Sequence, residues 1–224
     1  MSVFHNNALI GAGAGTGEAP AAAEYVIPKS LRFDSGDSSH LRKTPSVAGN
    51  RRTFTFSCWV KLVESSGTRR YFFGAASANT GSPYNFTLGF GVLNNQLCVT
   101  NHANDIYKTA AVFRDFSAWY HLVWVVNTTE ATTTDRVKIY VNGVQQTLNY
   151  QNHNGASHPS RNEEYPISWT KPHGVGCIFN SAGTSVVGAF NGYMADVQLV
   201  DGQALAPTDF GETRSSDGVW VPKE

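Results

Sequence analysis

The sequence predicts an all-β fold, an antiparallel β-sandwich of jelly-roll type that follows an extended N-terminal arm. Three observations point there. Residues 119–126, WYHLVWVV, are almost all aromatic or β-branched, the composition of a pleated and half-buried surface. Residues 136–141, RVKIYV, alternate strictly, with Val137, Ile139 and Val141 facing one way and Arg136, Lys138 and Tyr140 the other. Asn142-Gly143 follows at once, and a two-residue hairpin turn of type I′ needs the positive φ at both central positions that Asn and Gly accept.

Composition sets the bounds. The 224 residues suit one large β domain, and a globule of that size buries enough surface to hold without disulfide staples. The chain carries 13 Phe, 9 Tyr and 5 Trp, with 21 Gly and 9 Pro as punctuation. Charged residues make up only 15%, so Ser, Thr, Asn and Gln must supply much of the surface, which suits an assembled shell or fibre as well as a free monomer. Lys plus Arg and Asp plus Glu balance at 17 each, with the basic residues dispersed, which removes the electrostatic footprint of a nucleic-acid binder. No apolar run is long enough to span a membrane, and no basic flank leads into an apolar segment as in a secretory signal. Cys58, Cys98 and Cys177 are far apart and odd in number, which predicts reduced, small apolar side chains.

Taken in order, residues 1–30 form the arm. It holds Phe4, the apolar patch Ala8-Leu9-Ile10, and then Gly11, Gly13, Gly15 and Gly17, whose backbone freedom opposes both helix and strand in isolation. Two readings are open: a tail with no partner, or an assembly arm whose Phe4, Leu9 and Ile10 dock on a neighbouring subunit. The domain is expected over residues 31–224. In LRFDSGDSSHL, Phe33 and Leu41 bracket a tight turn rich in Asp, Ser and Gly. Thr53–Leu62 alternates, with Phe54, Phe56, Cys58 and Val60 on one face and Thr55, Ser57, Trp59 and Lys61 on the other. Short strands are expected over 71–74, 85–90 and 96–100, with Asn94-Asn95 as a hairpin turn. Residues 150–173 read as a long irregular section containing His153, His158, Arg161 and the adjacent Glu163 and Glu164. The His153–His158 spacing lacks the Cys pair of a structural zinc site, leaving an exposed or subunit-contacting loop as the expectation. Three more strands are expected over 174–179, 184–190 and 192–200. In the last, Tyr193, Ala195, Val197 and Leu199 share one face by period-2 alternation, and a short capped turn follows at 207–211. The expected core is Phe54, Phe56, Val60, Leu122 or Val123, Val137, Ile139, Val141, Val197 and Leu199.

Catalytic signatures are missing. A retaining glycosidase needs two carboxyl groups about 5–5.5 Å apart. Glu163 and Glu164, if in a strand, would point to opposite faces, and Glu130 and Asp135 sit in a Thr-rich loop. No Gly-x-Ser-x-Gly, His-Glu-x-x-His or phosphate loop occurs, so the expectation is a protein that is not an enzyme.

Several stretches resemble the laminin-G-like, concanavalin A-like lectin/glucanase family over about residues 31 to 211. They are the opening FDSGDSSHL, the strand TFTFSCWVKL, the pair WYHLVWVV and RVKIYVNG, and the closing GYMADVQLV. The resemblance implies the sandwich, and it implies a Ca²⁺ site near the opening turn for which Asp34, Asp37 and Asp196 are the candidate ligands. The open alternative is a turn whose carboxylates cap local N–H groups. It also implies a glycan site, with Trp59, His153, His158 and Arg161 as candidates. Trp59 could stack on sugar or be covered by a neighbouring segment. A narrower likeness, carried by SLRFDSGDSSHL, AVFRDFSAWYHLVWVV, DRVKIYVNGVQQT and DGQALAPTDFGE, is to phage virion proteins that bear this domain. That resemblance implies a capsid-decoration, head-fibre or tail-appendage subunit located in the virion. Its partners would be other virion proteins and further copies of itself, a trimer included. The alternative is a lectin-like module for host-surface glycan, with Ca²⁺ as its one implied cofactor.

Overall fold

A computed structural model describes residues 25–63, 69–75, 86–90, 95–101, 104–150, 158–180 and 182–224. In chain order the strands are β1 (Leu31–Phe33), β2 (Leu41–Lys43), β3 (Thr53–Leu62), β4 (Arg70–Ala75), β5 (Phe86–Phe90) and β6 (Leu97–Asn101). They continue with β7 (Asn104–Thr109), β8 (Trp119–Asn127), β9 (Val137–Val141), β10 (Val144–Gln145), β11 (Leu148–Tyr150) and β12 (His173–Val175). The last are β13 (Ile178–Phe179), β14 (Val186–Val187), β15 (Gly192–Asp201), β16 (Gly211–Thr213) and β17 (Trp220–Pro222). The first large sheet has the order β1-β15-β3-β8-β9-β10 and the second β11-β7-β6-β5-β4-β12-β2. The pairings within both are antiparallel, and the two inner faces share one core. The expected antiparallel sandwich is the fold.

The central hairpin forms as its residues dictate. Asn142 (φ 48°) and Gly143 (φ 78°) both take positive φ, and β9 runs buried–half-buried–buried–half-buried–buried as its alternation requires. Phe54, Phe56, Val60, Leu122, Val137, Ile139 and Val141 all lie in the shared core. Val123 is buried as well, but on the opposite face of the first sheet, under Phe210.

Two expectations about faces need correction. Thr55 and Ser57, read as the second face of β3, are buried too, while the burial of Trp59 agrees with the reading that a neighbouring segment covers it. The chain after β15 folds back over them: Thr55 Oγ1 donates to the Gln203 carbonyl at 2.8 Å and accepts from Leu205 N–H at 2.9 Å. Val197 and Leu199, expected in the core, are 36% and 38% exposed. They line the open end of the core beside Phe56 and Phe73, and the strand before them carries a bulge between Ala195 and Gln198, where Asp196 takes φ 45°. One extra residue reverses the alternation, so Met194 opposite Val60, rather than Ala195, is the core residue before it. Beyond the bulge, Leu199 sits opposite Phe56 and points inward again. It reaches the end of the core where the sandwich gapes.

Strands β7 and β11 were not expected, and both matter. Their pairing sets Tyr150 opposite Tyr107. Following the registers across the second sheet, Leu41, Val175, Phe73, Leu88, Val99, Tyr107 and Tyr150 form one inward-facing row. The row ends in an apolar cleft at one seam of the sandwich and in an aromatic groove at the other.

Candidate functional site

The groove lies where edge strands β10 and β11 and strand β7 meet. Its floor is the Tyr107–Tyr150 pair, ring centroids 6.0 Å apart. His158 stacks on Tyr150 at 3.8 Å and 18°, and its Nδ1 lies 2.7 Å from the Tyr107 hydroxyl. Burial, then the neighbouring Tyr150, pushes the Tyr107 phenol up to about 12, with Arg136 pulling weakly the other way. The Tyr107 hydroxyl and His158 Nδ1 share one hydrogen bond, in which either group can be the donor. Arg136 holds the segment that carries His158. Buried to 8% exposure, its guanidinium donates to the carbonyls of Pro159 (2.6 Å), Glu130 (2.9 Å) and Ala131 (3.1 Å). The far wall is Gln145, Gln146 and Thr147 at the end of the central hairpin, with Thr134 at the rim. The enclosed volume is about 440 Å³. Among the described residues its lining combines aromatic faces with amide, hydroxyl and imidazole groups and includes no carboxylate. Such a surface can stack on a sugar's C–H face and hydrogen-bond its hydroxyls.

Trp59 sits elsewhere. On the outer face of the first sheet it stacks on His121 at 4.9 Å, is 8% exposed, and its indole N–H has no partner. With Trp119 it lines a pocket of about 310 Å³ walled by residues 27–30, and this pocket shares no lining residue with the groove. Next to it, His121 Nε2 lies 2.9 Å from Ser57 Oγ while Trp220 donates its indole N–H to His121 Nδ1 at 3.0 Å. Because the indole can only donate, Nδ1 must be bare and Nε2 must carry the hydrogen. The imidazole therefore donates to Ser57 and cannot act as the base that a serine nucleophile needs.

Of the other glycan candidates, Arg161 is exposed and directs Nε to the Thr129 carbonyl at 3.3 Å, and it is not among the residues lining the groove. His153 lies outside the described residues, as do Phe4, Leu9 and Ile10 of the arm. Only His158 of the expected set lines the groove. Tyr107, Tyr150 and the glutamines were not anticipated. Their sole signal in sequence is a pair of tyrosines in short polar stretches.

The metal candidates Asp34 and Asp196 are not brought together. Phe33 pairs with Gly192, so Asp34 falls one position beyond that pair and Asp196 four positions beyond it in the opposite direction. Five strand positions correspond to about 16 Å. Asp34 instead accepts the Gly36 N–H at 2.8 Å and lies 3.7 Å from Arg32, while Asp196 accepts from the Gln198 amide at 2.9 Å. Among the described residues no three His, Cys, Asp or Glu side chains are grouped to hold a metal ion. Asp34 and Asp196 thus do not combine, among the described residues, into the cage of six to eight oxygens that a Ca²⁺ ion wants.

The family model described as the concanavalin A-like lectin/glucanases superfamily matches residues 34–209. Among solved structures, the chain is similar to the native heptameric SAP-like pentraxin from Limulus polyphemus, at 17% identity over 79% of this chain and 72% of that one, with a TM-score of 0.47. It is similar to the CBM40 of the Ruminococcus gnavus IT-sialidase, a structure with α2,3-sialyllactose bound, at 12% identity over 75% of this chain and 95% of that one, TM-score 0.47. It is also similar to NanB in a structure with Optactamide, at 12% identity over 84% of this chain but 29% of that one, TM-score 0.50. No curated protein matches it in sequence.

Proposed function

From the fact that the chain belongs to the concanavalin A-like lectin/glucanases superfamily, we propose that it is a glycan-binding, lectin-like module and not a hydrolase. The observation that carries this reading is the groove at Tyr107, Tyr150 and His158. Aromatic faces, uncharged amide and hydroxyl groups and a volume of about 440 Å³ suit one or two sugar units. The lack of Lys, Arg, Asp and Glu in its described lining favours a neutral hexose or pentose over a sialic acid, whose carboxylate would want a fixed cation there. For the setting we propose a virion, with the glycan on a host surface. That step rests on the likeness of the opening turn, the AVFRDFSAWYHLVWVV stretch and DGQALAPTDFGE to phage virion proteins.

The test is a neutral-glycan array followed by calorimetry on the best hit, with wild type, Tyr150→Ala and Gln145→Ala. Loss of one stacking face should weaken binding about tenfold. Gln145 is exposed, so its substitution reports on binding with the fold intact. If no neutral glycan binds, or if Tyr150→Ala and Gln145→Ala both bind as tightly as wild type, the groove is not the site.

A further inference from the structure

The other seam of the sandwich carries a largely apolar cleft that shares no lining residue with the groove. It has a volume of about 530 Å³, and the stacked rings of Phe56 and Phe73, 4.6 Å apart, form its floor. Its walls gather large apolar side chains that are exposed to water: Leu41 (48%), Val47 (77%), Val197 (36%) and Leu199 (38%). Both sheets end here with open edges. Strand β1 pairs β15 at Gly192, Tyr193 and Met194, so among the described residues β15 from Val197 to Asp201 has no strand on that side. Strand β2 pairs β12 on one side and is the last strand of its sheet. The edge is left open because the chain upstream of β1 turns away: residues 27–30 lie on the opposite face of the first sheet, against Trp59, Trp119 and Ala195. An unpaired edge bordering an apolar trough is the arrangement that accepts an added strand, whose backbone bonds to the edge while alternate side chains fill the trough.

We propose that this cleft receives the apolar segment around Ala8-Leu9-Ile10 from a second copy of the chain, added as a strand beside Val197–Asp201. The segment matches the cleft in chemistry. Residues 1–17 carry no Asp, Glu, Lys or Arg, and Leu9 and Ile10 with Phe4 are its large apolar groups apart from Met1 and Val3. The cleft wall contains the carboxylate of Asp201, already accepting the Asn50 N–H at 2.9 Å, so an uncharged strand meets no unanswered anion there. The direction of departure favours a neighbouring copy as the donor. The segment leaves its own domain on the far face of the first sheet, and the 16 residues from Gly11 to Val26 can span up to about 50 Å, the distance to a neighbouring domain. The exchange makes a head-to-tail contact that closes into a ring or runs on as a filament.

Analytical ultracentrifugation of the full chain, of the chain lacking residues 1–20, and of the full-length Leu199→Asp and Val197→Asp variants tests this. Both substituted positions are more than one-third exposed, and retained thermal midpoints will show that the variants fold. A synthetic peptide of residues 1–17 titrated onto the shortened chain reads the contact directly. The full chain should sediment as an oligomer, the deletion and both Asp variants as monomers, and the peptide should bind the shortened chain about tenfold or more tightly than its Leu199→Asp form. A monomeric full chain overturns the proposal, as does a peptide indifferent to Leu199→Asp. An oligomer that survives the deletion but not Leu199→Asp overturns it too, since the cleft would then be a direct contact between domains.

Discussion

At the scale of the residue, His121 is the clearest case of a polar group whose surroundings decide its behaviour. It lies in the apolar run WYHLVWVV, fully buried, and burial pushes its pKa down to about 4. Both ring nitrogens are committed, Nδ1 to the Trp220 indole and Nε2 to Ser57, and protonation would set a second hydrogen against the indole N–H. The unfolded chain takes up this proton near pH 6.5 and the folded chain only near 4, so stability is complete above pH 6.5 and falls as pH drops through that window. Two and a half pH units correspond to about 3 kcal/mol. Urea unfolding at pH 7 and pH 4 should show a fall of that order from this residue, and His121→Asn should flatten the slope between them. Ile139, fully buried in the shared core, offers a pH-independent comparison: Ile139→Ala should cost about 2–5 kcal/mol in the same experiment.

At the scale of the element, what can be read from sequence is what depends on near neighbours. Asn142-Gly143 makes its turn because of its own φ preferences, and β3, β8 and β9 follow from composition and alternation over a handful of positions. Gly143 also carries a constraint invisible in the chain: a Cβ there would lie 2.5 Å from the Trp220 ring at φ 78°. Gly143→Ala should therefore destabilise by more than about 1 kcal/mol and alter the Trp220 environment, seen in near-ultraviolet circular dichroism. Strand β15 hides a break for a related reason: Ala195 and Leu199, expected on one face, lie on opposite ones. Its pattern looks unbroken, and the bulge exists only in register with β3. Asp196 at φ 45° is the strained position, so Asp196→Gly should be tolerated while Asp196→Val should cost about 1–2 kcal/mol in a thermal melt. Strands β7 and β11 escaped notice because NDIYKT and LNY have little apolar alternation; each is a strand by virtue of its partner.

At the scale of the whole molecule, the groove joins residues that no local pattern connects, Tyr107 and His158 being 51 positions apart. Only the strand order, which puts β11 beside β7 and carries the segment around His158 over both, makes them a site. The same global geometry separates residues that the opening turn and closing strand seemed to unite. The β1–β15 register is antiparallel and fixed by three pairs, so Asp34 and Asp196 recede from each other along the strands and cannot share an ion without breaking that pairing. Asp34 already answers the Gly36 N–H and Asp196 the Gln198 amide. Calcium should consequently add nothing to the folded state. A ligand that binds the native form alone raises its thermal midpoint by mass action, so melts in millimolar Ca²⁺ and in excess chelator should superpose. Binding at the groove should likewise survive chelation, because its contacts come from tyrosine, histidine and glutamine. A midpoint that rises with Ca²⁺ and loses that rise in Asp34→Ala would mean that Asp34 meets oxygen ligands other than Asp196.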